Sequence, residues 1–225
     1  MCGRYVLSTP GDALAELFRL DPTPDLPARY NIAPSQEVAV VVERAPGAAR
    51  ELARMRWGLV PRWAKEEAIG ERMINARAET AAEKPSFRDS VKRRRCLILA
   101  DGFYEWQKVA GGKQPWWIGL EGRRPFAFAG LWASWKRPEG GELESCAILT
   151  TAANDFVRPI HDRMPVILAR EAHSTWLDPR PTEGAALAPL LVPYPAATMR
   201  AFPVSKRVNN PSYDAPDCLA PLAAG

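Results

Sequence analysis

Histidine is scarce in this 225-residue chain, which holds two, and its four cysteines include no CxxC pair. The short, fixed Cys and His spacings of zinc sites therefore cannot be assembled, and the thiols are expected to be free. Long apolar runs are missing as well. The longest stretches are too short and too interrupted to cross a bilayer. The first residues lack the basic-then-apolar order of a secretory leader. No Pro/Gly/Ser-rich or charged linker divides the chain, and it has no internal repeat or low-complexity tract. These absences argue against membrane-spanning, disulfide-stapled, zinc-dependent and repeat architectures. The expectation is one domain over residues 1–225, cytoplasmic and monomeric, with no metal and no cofactor.

A hydrophobic fraction of 47% supports a real core, and a net charge of +4 with a pI near 9.0 mildly favours a polyanionic partner. Ser8-Thr9-Pro10 ahead of Leu14, Leu17 and Phe18 reads as a capped, proline-started helix. The proline-punctuated segment from Pro22 to Pro34 reads as a surface loop. Val-rich or alternating stretches predict strands at 37–43, 53–57, 96–100, 103–107, 115–120, 125–132, 145–151 and 164–169. Most are joined by short turns such as Gly111-Gly112, which favours antiparallel pairing. Helices are expected after Ala78, over 170–177, and over 182–191 where Pro189 intrudes.

The chemistry concentrates at Met1-Cys2-Gly3-Arg4-Tyr5. Loss of Met1 would place an α-amine, titrating near about 7.7 to 8.0, and a thiol, near about 8.5, on one residue. Such a 1,2-aminothiol condenses with an aldehyde to an imine, and the sulfur then closes a thiazolidine ring. The competing reading makes Cys2 a small buried hydrophobe in a first strand over 3–7. The pentapeptide alone does not decide between them.

Four further stretches pair polar residues with tight backbone: Asn75-Ala76-Arg77-Ala78-Glu79-Thr80, Asp101-Gly102-Phe103-Tyr104-Glu105-Trp106, Ile160-His161-Asp162-Arg163-Met164-Pro165 and Pro203-Val204-Ser205. With the first five residues, Arg29 to Pro34 and Trp57 to Pro61, in this order and at these distances, the chain resembles the SOS response-associated peptidase (SRAP) family. The resemblance spans nearly the whole sequence. It implies an α+β fold with a mainly antiparallel, barrel-like β core flanked by short helices. It implies a sensor of abasic sites in single-stranded DNA that forms a thiazolidine crosslink through Cys2, protecting the strand, and removes its own Met1. The residues matching the family's active-site set are Cys2, Asn75, Glu105 and His161, and those matching its DNA contacts include Arg4 and Arg77. Trp63 and Pro34 are then placed against the bases, although Trp63 stands alone where some relatives have two adjacent tryptophans. A cytoplasmic protein, at the nucleoid when bound to DNA, is implied.

The residue types fit these roles without requiring them. Glu105 projects opposite Tyr104 and Trp106 on its strand, so its carboxyl can point into a site walled by aromatics and exchange a proton with the amine. A solvated glutamate is the competing reading. His161, in a loop beside Asp162, suits protonation of the sugar O4′, or is a structural histidine bonded to Asp162. Asn75 orients the amine or caps a turn. Arg4 and Arg77 offer forks for phosphates or pair with glutamates such as Glu79. The run Lys92-Arg93-Arg94-Arg95 is a DNA patch or a solvated face. Two rival functions stay open: a peptidase acting in trans, with Cys2 as nucleophile and His161 as base, and a noncovalent DNA-binding module.

Overall fold

The Val-rich run after Glu37 and the apolar run after Arg95 become neighbouring strands, because each can bury both faces only inside a closed sheet. The computed structural model describes residues 2–222. Met1, and with it the expectation of its removal, lies outside the described residues. Strands β1 (Tyr5–Leu7), β2 (Arg29–Ile32), β3 (Glu37–Val42) and β4 (Glu51–Trp57) come first, with helix α1 (Gly11–Phe18) between β1 and β2. After β5 (Asn75–Arg77) and α2 (Arg88–Arg93) come β6 (Arg95–Ala100), β7 (Gly102–Val109), β8 (Gly112–Leu120), β9 (Phe126–Lys136) and β10 (Glu142–Ala152). The short strands β11 (Arg163–Pro165) and β12 (Ile167–Leu168), helices α3 (His173–Leu177) and α4 (Gly184–Leu187), and β13 (Met199–Pro203) complete the order.

Pairing runs from β4 to β3, β6, β9, β10 and back to β4, so five strands close into a barrel. Closure removes the free edges that an open sheet would expose. Its interior is filled by side chains such as Met55, Trp57, Ile98, Phe128 and Ile148, all fully buried. The second sheet runs β13-β8-β7-β1-β2. Tyr5 joins the two layers, meeting the rings of Trp57 and Phe128 edge-on at 5.2 and 5.7 Å. The mainly antiparallel, barrel-like α+β architecture expected from the sequence is the one observed.

Several local expectations are corrected. The proline-punctuated segment is not all loop: Arg29–Ile32 pairs with β1 as β2. Ser8 and Thr9 do not cap α1, whose N-cap is Pro10. Both instead donate to the Asp101 carboxylate through backbone N–H and hydroxyl, at 2.5 to 2.9 Å. After Ala78 the chain makes turns, and the helix begins only at Arg88. The strand expected at 164–169 is two short strands on different neighbours. Two pairings, β10 with β4 and β10 with β5, are parallel.

Candidate active site

The route of β1 brings the start of the chain beside β7. Tyr5 pairs with Phe103 and Val6 with Gly102, and the Tyr104 N–H donates to the Arg4 carbonyl at 2.9 Å. This lays residues 2–4 alongside Glu105. Gly102 permits the approach of β8 to β7, since a Cβ there would lie 2.3 Å from Nε1 of Trp117. On the other side, β5 pairs in parallel with β10, Asn75 opposite Ile148 and Arg77 opposite Thr150.

Cys2 is fully buried, and its Sγ lies 3.8 Å from the Arg4 carbonyl. Asn75 Nδ2 donates to the Cys2 carbonyl at 2.8 Å, which fixes the residue through its backbone. The Oδ1 of Asn75 is buried with no hydrogen-bond partner among the described residues, so it can take a further donor. Burial, and then the charge of Glu105, push the Cys2 thiol well above its ordinary range. The ground state therefore holds a thiol, not a thiolate.

Glu105 is 2% exposed, on the face of β7 opposite Tyr104 and Trp106, which pack with Val6, Trp117 and Val204. Burial raises its pKa, and the charge of His161 opposes the rise. The Oε2 of Glu105 is 3.9 Å from Nε2 of His161. The Arg163 N–H donates to His161 Nδ1 at 3.0 Å, so the neutral ring that accepts it carries its hydrogen on Nε2, toward Glu105. The exposed Asp162 carboxylate is also 3.0 Å from Nδ1. A buried carboxyl and a partly exposed imidazole thus stand near one another at a site whose thiol is buried.

The other sequence-derived residues take different positions. Arg4 Nη1 donates to Asn31 Oδ1 at 3.0 Å and to the Val208 carbonyl at 2.6 Å, and its Nη2 donates to the Asn209 carbonyl at 3.2 Å. Arg77 is exposed on β5 and makes no side-chain hydrogen bond or ion pair among the described residues. Its sequence-level rival partner, Glu79, is held by the fork of Arg163 at 2.6 and 2.9 Å. Trp63 is 57% exposed, and its Nε1 lies 3.5 Å from the Pro85 carbonyl. Pro34 is half-buried ahead of Ser35, which has φ +68°.

Two supports escaped sequence reasoning. Buried Asn31 donates through Nδ2 to the carbonyls of Val208, Asn210 and Tyr213, tying the segment after β13 to the first strands. Arg163, besides holding Glu79, donates to the Thr150 carbonyl at 2.6 Å and so fixes β11 on β10 next to His161. Both residues stand inside the quoted motifs. Only their remote partners were invisible.

Comparison with known proteins agrees with this fold. The family model described as SOS response associated peptidase (SRAP) matches residues 1–211. The chain is 45% identical over 223 residues to the abasic site processing protein YoqW of Bacillus subtilis, an alignment covering 97% of this chain and 99% of the relative. It is 36% identical to the abasic site processing protein HMCES of Gallus gallus, over 87% of this chain and 67% of that protein. The crystal structure of a protein from Bacteroides thetaiotaomicron superposes with a TM-score of 0.87 at 26% identity, covering 98% of this chain and all of the other.

Proposed function

The chain belongs to the SOS response associated peptidase family, and we propose that it holds abasic sites in single-stranded DNA as a covalent adduct on Cys2. Action on abasic sites in DNA is its function; the steps below are the chemistry its residues favour. The observation that carries the reading is the convergence of Cys2, Asn75, Glu105 and His161 from separate segments, with Asn75 bonded to Cys2 and Glu105 beside His161.

Once Met1 is removed by the same site, the Cys2 α-amine attacks the aldehyde of the ring-opened deoxyribose. The carbinolamine loses water to give an imine, the sulfur adds to the imine carbon, and the thiol proton passes to nitrogen, leaving a thiazolidine. His161 protonates O4′ as the sugar opens. Glu105 takes a proton from the amine and returns it to the departing hydroxyl. Burial raises its pKa, which favours the return of the proton as well as its capture. Oδ1 of Asn75 accepts from the amine while Nδ2 holds the carbonyl. Arg77 and Arg4 meet phosphates, and Trp63 and Pro34 part the bases. Ring closure removes the imine that would otherwise lead to strand cleavage. The protein acts as a cytoplasmic monomer, at the nucleoid when on DNA, and among the described residues no helix is long and apolar enough to cross a membrane.

The test is intact mass with an abasic oligonucleotide. Wild type should gain one strand in a heat-stable adduct, and Cys2→Ser should lose it while a borohydride-trapped imine survives. Equal heat-stable adduct from Cys2→Ser without reductant would sink the thiazolidine, since a lysine or another cysteine would then carry the chemistry.

A further inference from the structure

Arg62, Arg94 and Lys136 converge with Ser134 and Glu142 on a cleft of about 220 Å³ beside the outer end of the β9–β10 hairpin. None of the three cationic side chains has a hydrogen bond or ion pair among the described residues. Several arginines elsewhere in the fold are neutralised by carboxylates: Arg44 pairs with Glu144, Arg163 with Glu79, Arg200 with Glu121 and Arg207 with Asp217. The one carboxylate at the cleft, on Glu142, accepts from the Ser134 hydroxyl at 2.6 Å. Burial, and the like charges of Arg62 and Arg93, depress the pKa of Arg94, opposed by Asp89 and Glu142. The guanidinium of Arg94 lies 5.6 Å from the centre of the Trp132 ring, which limits its freedom to swing away. Unneutralised like charges crowded together repel one another, and a polyanion relieves that repulsion on binding.

The position of the cleft selects the polyanion. Arg62 immediately precedes the exposed Trp63. The loop bearing both is anchored to the barrel, because the Val60 N–H donates to Ser145 Oγ at 2.8 Å and Trp135 Nε1 to the Ala64 carbonyl at 2.8 Å. Along β10, Glu142 lies six residues before Ile148, the partner of Asn75, a span of about 20 Å at the rise of a strand. That is a distance of several nucleotides, within the reach of single-strand grooves.

We propose that Arg62, Arg94 and Lys136 form a phosphate-binding subsite for the undamaged flank of the single strand. The inference rests on the function proposed above. The subsite holds the strand whether or not a lesion is in register, so it contributes residence on DNA and not chemistry.

Equilibrium anisotropy with undamaged, labelled oligothymidylates tests it, since no step then depends on Cys2. For the wild type, a strand of about 20 nucleotides should bind more tightly than one of about 4, with a salt dependence set by all its phosphate contacts. Replacing all three cations by Gln should lower the log–log salt slope by about 2, at about 0.7 for each phosphate released, and should shrink the advantage of the longer strand. Arg94→Lys should keep most of the binding, which separates charge from fold. Arg62→Gln and Lys136→Gln, both at exposed positions, should each lower the slope by about 0.7. Glu142→Gln should act in the opposite direction and tighten binding. A folded triple variant with the wild-type slope would overturn the subsite, as would Glu142→Gln that binds no more tightly. Crosslinking to a short abasic strand, measured alongside, should proceed at the wild-type rate in the triple variant. Failure of the wild type to crosslink would defeat the covalent reading, while the anisotropy would still decide the subsite.

Discussion

The Oε2 of Glu105 and the Nε2 of His161 lie 3.9 Å apart, the carboxyl buried and the imidazole about a quarter exposed. Because burial dominates and raises the Glu105 pKa, the folded state favours the protonated acid more than the unfolded chain does. The associated stability is fully present below the unfolded value near 4.5 and is lost as pH rises through the folded one. Glu105→Gln should therefore gain stability over wild type with rising pH across that window, then level off. Urea unfolding from pH 4 to 8 reads the difference, and a constant gap would refute it. The same variant should crosslink more slowly, a trade of activity for stability.

Arg4 and Arg77 should separate cleanly. Arg4 has three protein acceptors, so Arg4→Ala should lower stability by about 2 kcal/mol, besides any loss on DNA. Arg77 has none among the described residues, so Arg77→Ala should leave the melting temperature nearly unchanged. It should slow crosslinking and lower the salt slope by about 0.7. Equal melting losses in the two variants would contradict this division.

His173, 4% exposed and stacked on Phe18 at 5.6 Å, has its pKa pushed down to about 4 by burial first and by Arg50 and Arg170 next. It is neutral in the fold and charges on unfolding. Its contribution is present above the unfolded value of 6.5 and is lost as pH falls toward 4, on the order of 3 kcal/mol in all. His173→Phe, which keeps the stack, should be less acid-sensitive than wild type over that interval. Parallel stability curves for the two proteins would exclude the assignment.

Asp101 gathers four donors from Ser8 and Thr9 at the far end of β1. Asp101→Ala should cost about 3 kcal/mol, lowering the melting temperature by roughly 6 to 12 °C. It should also reduce crosslinking, because β1 sets where Cys2 sits. Full crosslinking with a lowered melting temperature would uncouple that anchor from the site.

The barrel strands were legible because their chemistry is local: Val38 to Val42 and Cys96 to Ala100 are apolar runs that only a buried sheet accommodates. β2 was hidden, since the flanking Pro27 and Pro34 and its own polar residues say loop while its pairing with β1 comes from a distant register. Ser8 and Thr9 have the composition of a cap, but a buried carboxylate about 90 residues away outcompetes the helix end. Lys92 to Arg95 read as one charged face. The fold divides it: Arg95, 2% exposed, donates to the carbonyls of Val91, Lys92 and Trp176, while Lys92 pairs with Glu183. The site motifs were visible as residue sets. What brings them together, such as Asn75 reaching the Cys2 carbonyl, is tertiary and has no period to read.

The clasp of Arg4 by Val208 and Asn209 joins residues about 200 positions apart. At roughly 5 to 20 residues per second, a ribosome needs some 10 to 40 s after making Arg4 to supply those carbonyls. Until then the segment around Arg4 lacks the partners that hold it against β2, and a chain halted early would carry the proposed aminothiol without its clasp. Assembly of the site is thereby coupled to near-complete synthesis, so an unfinished polypeptide does not present the finished trap.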